Sequence, residues 1–339
     1  MKSILTALSV AMLTQTIADA GELPAAPSDS FSIVVIPDTQ RYEKGKSGVL
    51  TNPTFDSWTD WIASHLDTQR IRFVSHVGDI VDRNNDEQWE LARRYMDKLH
   101  GRVPYGICVG NHDMTSAGDS RLFQEVFPKS RFAEFDWYGG SFENHDGNQS
   151  ISGNNANSVQ LFEAGGLEFV YLHLECNAPD TVLAWADSVL ESHKDRRAIV
   201  TTHMDLGPLE KPKAANDYYD APKGRMKWKK CHGARGNTSQ QLWEKCFRKH
   251  ANLFLICSGD QSRTQALRME TTGDHGNVVH ALLSDYGFSG LRVMRFLPAR
   301  NQIEVLTWDP VSGDLCESTK IVPDRDQHQF ILNYKMRGE

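Results

Sequence analysis

Apolar residues along this chain fall into short, dense runs separated by polar segments. The runs are Phe31–Ile36, Ile71–Val77, Tyr105–Val109, Leu167–Leu174, Arg197–Thr201, Leu253–Cys257, Val278–Leu283 and Leu291–Phe296. They are rich in Val, Ile, Leu and Phe and do not alternate cleanly with polar residues, which predicts strands covered on both faces. Between the early runs the spacing becomes helical. Phe55, Trp58, Ile62 and Leu66 share one face behind the cap-and-proline pair Asn52-Pro53. Trp89, Ala92, Met96 and Leu99 form a second stripe, and Val182, Ala186, Val189 and Leu190 a third; core packing is the reading for these Trp and Met residues. Strand–helix alternation predicts a layered α/β fold. The last three runs lack helices between them, which predicts antiparallel additions or a second sheet.

Two stretches break the pattern. Gly139 to Ser158 is rich in Gly, Asn and Ser and reads as a long loop. Residues 210–238 carry Lys211, Lys213, Lys223, Arg225, Lys227, Lys229, Lys230 and Arg235. Such a run reads as a solvated loop, the alternative being an anion-attracting lid beside a site.

The N-terminus has the form of an export signal. Lys2 precedes a mostly apolar stretch, Ile4 to Ile17, and Ala18-Asp19-Ala20 fits small-x-small cleavage before Gly21. Residues 1–20 are thus expected to be removed, residues 21–30 to form a linker, and the mature protein to be periplasmic or secreted. No later segment reaches the ~18 continuous apolar residues of a membrane span. The 339 residues allow one large α/β domain or two ordinary ones, and the net charge of −7 argues against general nucleic-acid binding. Nothing in the composition sets an oligomeric state. Of the six cysteines, Cys108 and Cys257 end apolar runs and read as buried strand residues. Cys231 and Cys246 flank a Gly-rich turn and could close a loop worth roughly 3 kcal/mol, although spacing does not settle pairing.

The chemistry lies at the carboxyl ends of the runs, the edge where an open α/β sheet binds ligands. These ends read Pro37-Asp38-Thr39-Gln40, Gly78-Asp79-Ile80-Val81-Asp82, Gly110-Asn111-His112-Asp113, Thr202-His203 and Ser258-Gly259-Asp260-Gln261. A single Gly-Asp is usually a turn, but five polar strand ends in register are not explained as turns. Unpaired carboxylates brought together would repel and desolvate badly, a cost that a divalent metal removes.

Gly78-Asp79 followed by Gly110-Asn111-His112-Asp113, with an upstream aspartate and a downstream histidine, resembles the calcineurin-like metallophosphoesterases. "PDTQ" in place of the usual Asp-x-His, read in order with "HVGDIVD", "GNHD", "NSVQLF" and "LHLEC", is similar to a bacterial branch of that superfamily. The likeness runs from Phe31 to Pro310, which implies a domain over 31–310 and a C-terminal extension over 311–339. It implies a sandwich of two mixed β-sheets flanked by α-helices, with one or two divalent ions (Mn, Fe, Zn or Mg) at the strand ends. Asp38 and Gln40 would face the first ion, Asp79 would bridge, and Asn111 and His203 would hold the second. His112 would act on the substrate phosphate or the leaving oxygen, with Asp113 orienting its ring.

One motif departs from the family. Where Gly-His-x-His is usual, this chain has Gly259-Asp260-Gln261-Ser262. Asp260 then replaces a second-ion ligand and Ser262 a first-ion ligand, which implies a complete second site and a depleted first one. Arg263, the next residue, could clamp phosphate, though a surface arginine is the plainer reading. His76, His173 and Glu175 read as supporting residues. The expected function is an exported metal-dependent phosphoesterase, monoester favoured over diester, acting through metal-activated water. The alternative is a catalytically weak or inactive homologue that binds phosphate or a phosphorylated ligand.

Overall fold

In the computed structural model, which describes residues 22–145, 147–286 and 290–336, all eight apolar runs are strands. The expected export signal lies outside the described residues. The strands join two seven-stranded mixed sheets. In the first, Phe31–Ile36, Ile71–His76 and Tyr105–Ile107 run parallel as neighbours. Leu291–Leu297 then adds antiparallel to Phe31–Ile36, and Gln302–Asp309 follows it. Residues beyond 310 contribute Asp314–Leu315 and Phe330–Asn333, both paired with Gln302–Asp309. In the second sheet Leu167–Leu174, Arg197–Thr202, Leu253–Ser258 and Val278–Ser284 lie parallel in that order.

The two-faced burial read from the runs has a direct cause. Phe31, Ile33 and Val35 point into a core between the sheets, with Phe73, Phe169, Tyr171, Ile199 and Leu255. Val34 and Ile36 point the other way, onto Phe55, Trp58 and Ile62 of helix Pro53–Ser64 and Trp89 of helix Asp86–Met96. The outer face of the second sheet, with Val170, Leu172, Ala198 and Val200, packs on Val182, Ala186 and Leu190 of helix Asp180–Ser192. The Asn52 side chain accepts from the Phe55 amide, which caps the first helix as its sequence predicts.

Three expectations change in detail. The strand Ala266–Thr272 has no apolar run to announce it. It is an edge strand whose side chains alternate between covered and exposed, and it pairs antiparallel with Val278–Ser284. That hairpin turns Val278–Ser284 parallel to Leu253–Ser258, not antiparallel. The Gly139 to Ser158 stretch is tied down at both ends: Tyr138–Ser141 is an edge strand, and Asn144 Nδ2 donates to the carbonyls of Asn148 and Ile151 at 3.0 and 2.7 Å. The basic segment is only partly a solvated loop. Lys211, Lys213, Lys227 and Arg235 are exposed, but Leu206–Pro208 pairs with Lys223–Arg225. Arg225 is buried, and its Nη1 donates to both carboxylate oxygens of Asp205 at 2.7 and 2.6 Å. Cys231 and Cys246 are both free; Cys231 neighbours Cys176, and Cys246 Sγ lies 3.9 Å from His250 Nε2.

The inter-sheet core holds the two strand systems in register, and Phe73 is central to it. Its ring is fully buried and stacks on Phe162 and Tyr171 at 4.7 and 4.8 Å. Phe73→Ala should cost about 3–5 kcal/mol of unfolding free energy, read as a lower denaturant midpoint with unchanged slope.

Candidate active site

Parallel strands from both sheets end at one rim, and the predicted residues occupy the turns that follow. Asp38 comes two residues after Phe31–Ile36, Asp79 three after Ile71–His76, His203 one after Arg197–Thr202, and Asp260 two after Leu253–Ser258. A cavity of about 180 Å³ opens there. Its walls include Gln40, Asp79, His112, Lys230, Asp260 and Asp285.

The backbone is drawn in tightly. A Cβ on Gly110 would lie 2.1 Å from Asp79 Oδ1, and one on Gly259 would lie 2.1 Å from Asp38 Oδ1. Only a bare Cα admits the neighbouring carboxylate. Asp79 takes positive φ at 49°, and the Asp113 carboxylate holds this turn. It accepts from the amides of Ile80 and Val81 at 2.9 and 3.1 Å and from Gly110 at 2.8 Å. Asp113 therefore stitches the two turns together and does not orient the His112 ring. That task falls to the Asp82 carbonyl, 2.8 Å from His112 Nδ1, while the His112 amide donates to Asp79 Oδ1 at 2.8 Å. The His112 side chain is otherwise exposed at the cavity.

Asp38, Asp79 and His203 are buried, and one ligand atom from each lies within 4.8 Å of the other two. His203 Nδ1 sits 2.9 Å from the Val77 carbonyl, which fixes the proton on Nδ1 and turns the Nε2 lone pair toward the carboxylates. Nε2 is 3.1 Å from Asp79 Oδ1 and 3.4 Å from Asp260 Oδ1, yet it is buried without a properly directed hydrogen bond. A lone pair facing carboxylate oxygens at that distance requires a cation between them. A proton on the ring meets the need in part: burial disfavours the imidazolium, but Asp79 and Asp260 outweigh burial and raise His203 well above the usual histidine range. A divalent ion meets it in full, and a carboxylate–imidazole donor set fits Mn, Fe, Zn or Mg.

The acidity of the neighbours reflects the same crowding. Burial and then Asp285 raise Asp38 well above the ordinary carboxylate range. Asp113 is pushed up to about 7 by burial and by Asp79. Asp79 is the exception: burial works against its charge, but His203 and His112 bring it below its ordinary value.

Of the other expected residues, Gln40 is half-buried in the cavity wall. Asn111 Oδ1 accepts from Lys230 Nζ at 3.1 Å. The Asp260 side chain is fully buried, takes hydrogen bonds from Lys230 Nζ and from Gln261 Nε2 at 2.6 Å, and its amide points at Asp38. Ser262 and Arg263 are exposed on the rim, Arg263 lying over the Tyr218 ring at 5.0 Å. His76 and His173 are braces. His76 Nδ1 accepts from the Gly78 amide at 3.1 Å and Nε2 meets Thr39 Oγ1 at 3.1 Å, while His173 bridges Ser75 and Gln160. Both rings are pushed down to about 3 by burial and stay neutral. Glu175 is fully buried beside His232 at 3.4 Å, away from the cavity.

Two residues were not anticipated. Asp285 follows Val278–Ser284 and reaches the rim because that strand runs parallel to Leu253–Ser258, with Ser258 level with Leu283. It is 3% exposed and lines the cavity. Burial and Asp260 push it up to about 7. The signal was present: Ser284-Asp285 ends an apolar run just as Pro37-Asp38 does. Lys230 gave no such signal among its seven basic neighbours. Burial opposes its charge, but Asp260 prevails and lifts the ammonium above its usual range.

Comparison with known proteins gives the family and the fold. Residues 31–235, more than half of the chain, match the family model described as calcineurin-like phosphoesterase. The chain is 27% identical over 330 residues to the uncharacterized protein YvnB of Bacillus subtilis (strain 168), covering 93% of this chain and 23% of YvnB. It thus spans less than a quarter of that relative's length. Among solved structures it is similar in fold to purple acid phosphatase PPD1 from yellow lupin (Lupinus luteus) seeds. The TM-score is 0.54 at 13% identity, covering 93% of this chain and 56% of that one. The NAD nucleotidase NadN of Haemophilus influenzae aligns with a TM-score of 0.45 at 12% identity, over 79% of this chain and 48% of that one.

Asp113→Ala would leave three buried amides without their acceptor. At about 1–3 kcal/mol for each such group, the variant should lose at least ~3 kcal/mol of stability in chemical denaturation, a larger loss than removing a residue that only orients an exposed ring.

Proposed function

Because the chain belongs to the calcineurin-like phosphoesterase family, we propose that it hydrolyses phosphate esters with a divalent cation held by Asp38, Asp79 and His203. The reading rests on one observation: these three side chains, from strands of two different sheets, bring ligand atoms within 4.8 Å of one another beside a cavity rimmed by a histidine. Gln40, Asn111 and Asp260 stand as further oxygen donors around that cluster. When bound, such an ion supplies Lewis acidity toward phosphoryl oxygen and lowers the pKa of a bound water.

The chain's own residues would do the rest. His112 keeps its Nδ1 proton on the Asp82 carbonyl and presents Nε2 to the cavity. From there a protonated ring can hydrogen-bond a phosphoryl oxygen and pass the Nε2 proton to the leaving oxygen. Asp113 would serve catalysis by keeping the Asp79 and Asn111 turns in register. The family resemblance favours a monoester over a diester. The apolar N-terminal stretch with its small-residue cleavage pattern supports a periplasmic or secreted location.

A second reading, a weak or inactive homologue that binds phosphate, is favoured by the Lys230 ammonium on two expected ligands, Asn111 and Asp260. Hydrolysis of p-nitrophenyl phosphate separates the two. The expected result is turnover that a chelator abolishes and Mn restores. His112→Ala should lower kcat by ~10²–10⁴-fold with bound metal unchanged. Wild-type rates equal to those of His112→Ala, with and without metal, on this ester and on bis(p-nitrophenyl) phosphate, would leave only the binder.

A further inference from the structure

Asp260 stands where the family pattern expects a neutral imidazole, and the structure shows what this aspartate faces. Its Oδ1 accepts from Lys230 Nζ, and the same ammonium donates to Asn111 Oδ1 at 3.1 Å. An imidazole at position 260 could not form this ion pair. The lysine is also held in place. The backbone amides of Lys230 and Cys231 both donate to Asn177 Oδ1, at 2.8 and 3.1 Å, and Trp228 Nε1 donates to the Pro208 carbonyl at 3.0 Å. Asn177 in turn donates to the Asn237 carbonyl at 2.9 Å. The segment that carries Lys230 is thus tied to the fold on both sides of it, and the side chain is only 32% exposed.

We propose that the Lys230 ammonium takes the place of a second divalent ion, so that the chain holds one ion at Asp38, Asp79 and His203 and a built-in cation at Asn111 and Asp260. This rests on the cation reading given above and adds the division of labour within it. The exchange of histidine for Asp260 and the presence of Lys230 then form one coupled change: the carboxylate gives the ammonium a partner, and the ammonium offsets the charge that the carboxylate adds. Substrate phosphate would be gripped between one metal ion and a lysine. Lysine suits this role as a compact point charge with three donors, two of them engaged here and one left for a phosphoryl oxygen.

The test is metal stoichiometry, which needs no substrate. Full-length chain stripped with chelator is dialysed against Mn²⁺ and analysed for bound Mn per chain, with folding checked by circular dichroism. About one ion is expected for wild type. Lys230→Met, which removes the charge, should free Asn111 and Asp260 and raise the count toward two. Lys230→Gln should do the same and keeps the test decisive if the methionine variant does not fold. Two ions on wild type, or one ion on both charge-free variants, would overturn the lysine assignment while leaving a metal phosphoesterase intact. No bound Mn on wild type would overturn the cation reading itself, and this inference with it. A shift from one to two ions in a protein that cleaves no phosphate ester would uphold the lysine assignment and remove the enzyme.

Discussion

Like charges buried together must be neutralised, and this chain gathers Asp79, Asp260 and Asp285 around one cavity, with Asp38 buried close to Asp79. At a separation of roughly 4 Å and an effective dielectric of ~20, each pair of ionised carboxylates costs about 4 kcal/mol. That is comparable to deleting a large aromatic side chain from the core, so the rim cannot be left to carry its charge alone. Protons answer the need in part, which is why Asp38 and Asp285 hold theirs well above the usual range. Lys230 and the His203 ring answer it further. The remaining deficit is what makes the cluster a candidate cation site.

The fold serves that cluster through strand direction. Parallel strands in both sheets send their carboxyl ends to the same rim, and the inter-sheet core of Phe31, Phe73, Phe169 and Tyr171 keeps the two ends side by side. Side chains that are far apart in sequence meet because the strands that carry them are packed side by side through these aromatic rings.

Much of this was legible in the residues. The eight apolar runs are all strands, because strands covered on both faces must be apolar throughout. The three helical stripes are helices for the complementary reason, that each needs one buried face. Asp38, Asp79, His203 and Asp260 could be picked out because each follows such a run within three residues. What escaped did not stand out as a dense apolar run. Ala266–Thr272 only half-covers alternate residues, and its pairing reversed the direction inferred for the strand after it. Asp113 looked like a partner for its neighbour His112, but its carboxylate finds three backbone amides instead. Lys230 sits among other lysines, and only tertiary hydrogen bonds through Asn177 distinguish it.

The missing Cβ atoms at Gly110 and Gly259 limit how this centre could be remodelled. With a carboxylate oxygen 2.1 Å from where either methyl would stand, the turns cannot be rebuilt around bulkier residues without dislodging Asp79 or Asp38. Variation is therefore confined to the side chains that project from a rigid frame. Redesign of its metal preference or charge should proceed by exchanging those heads, as the aspartate at position 260 already illustrates, and not by reshaping loops.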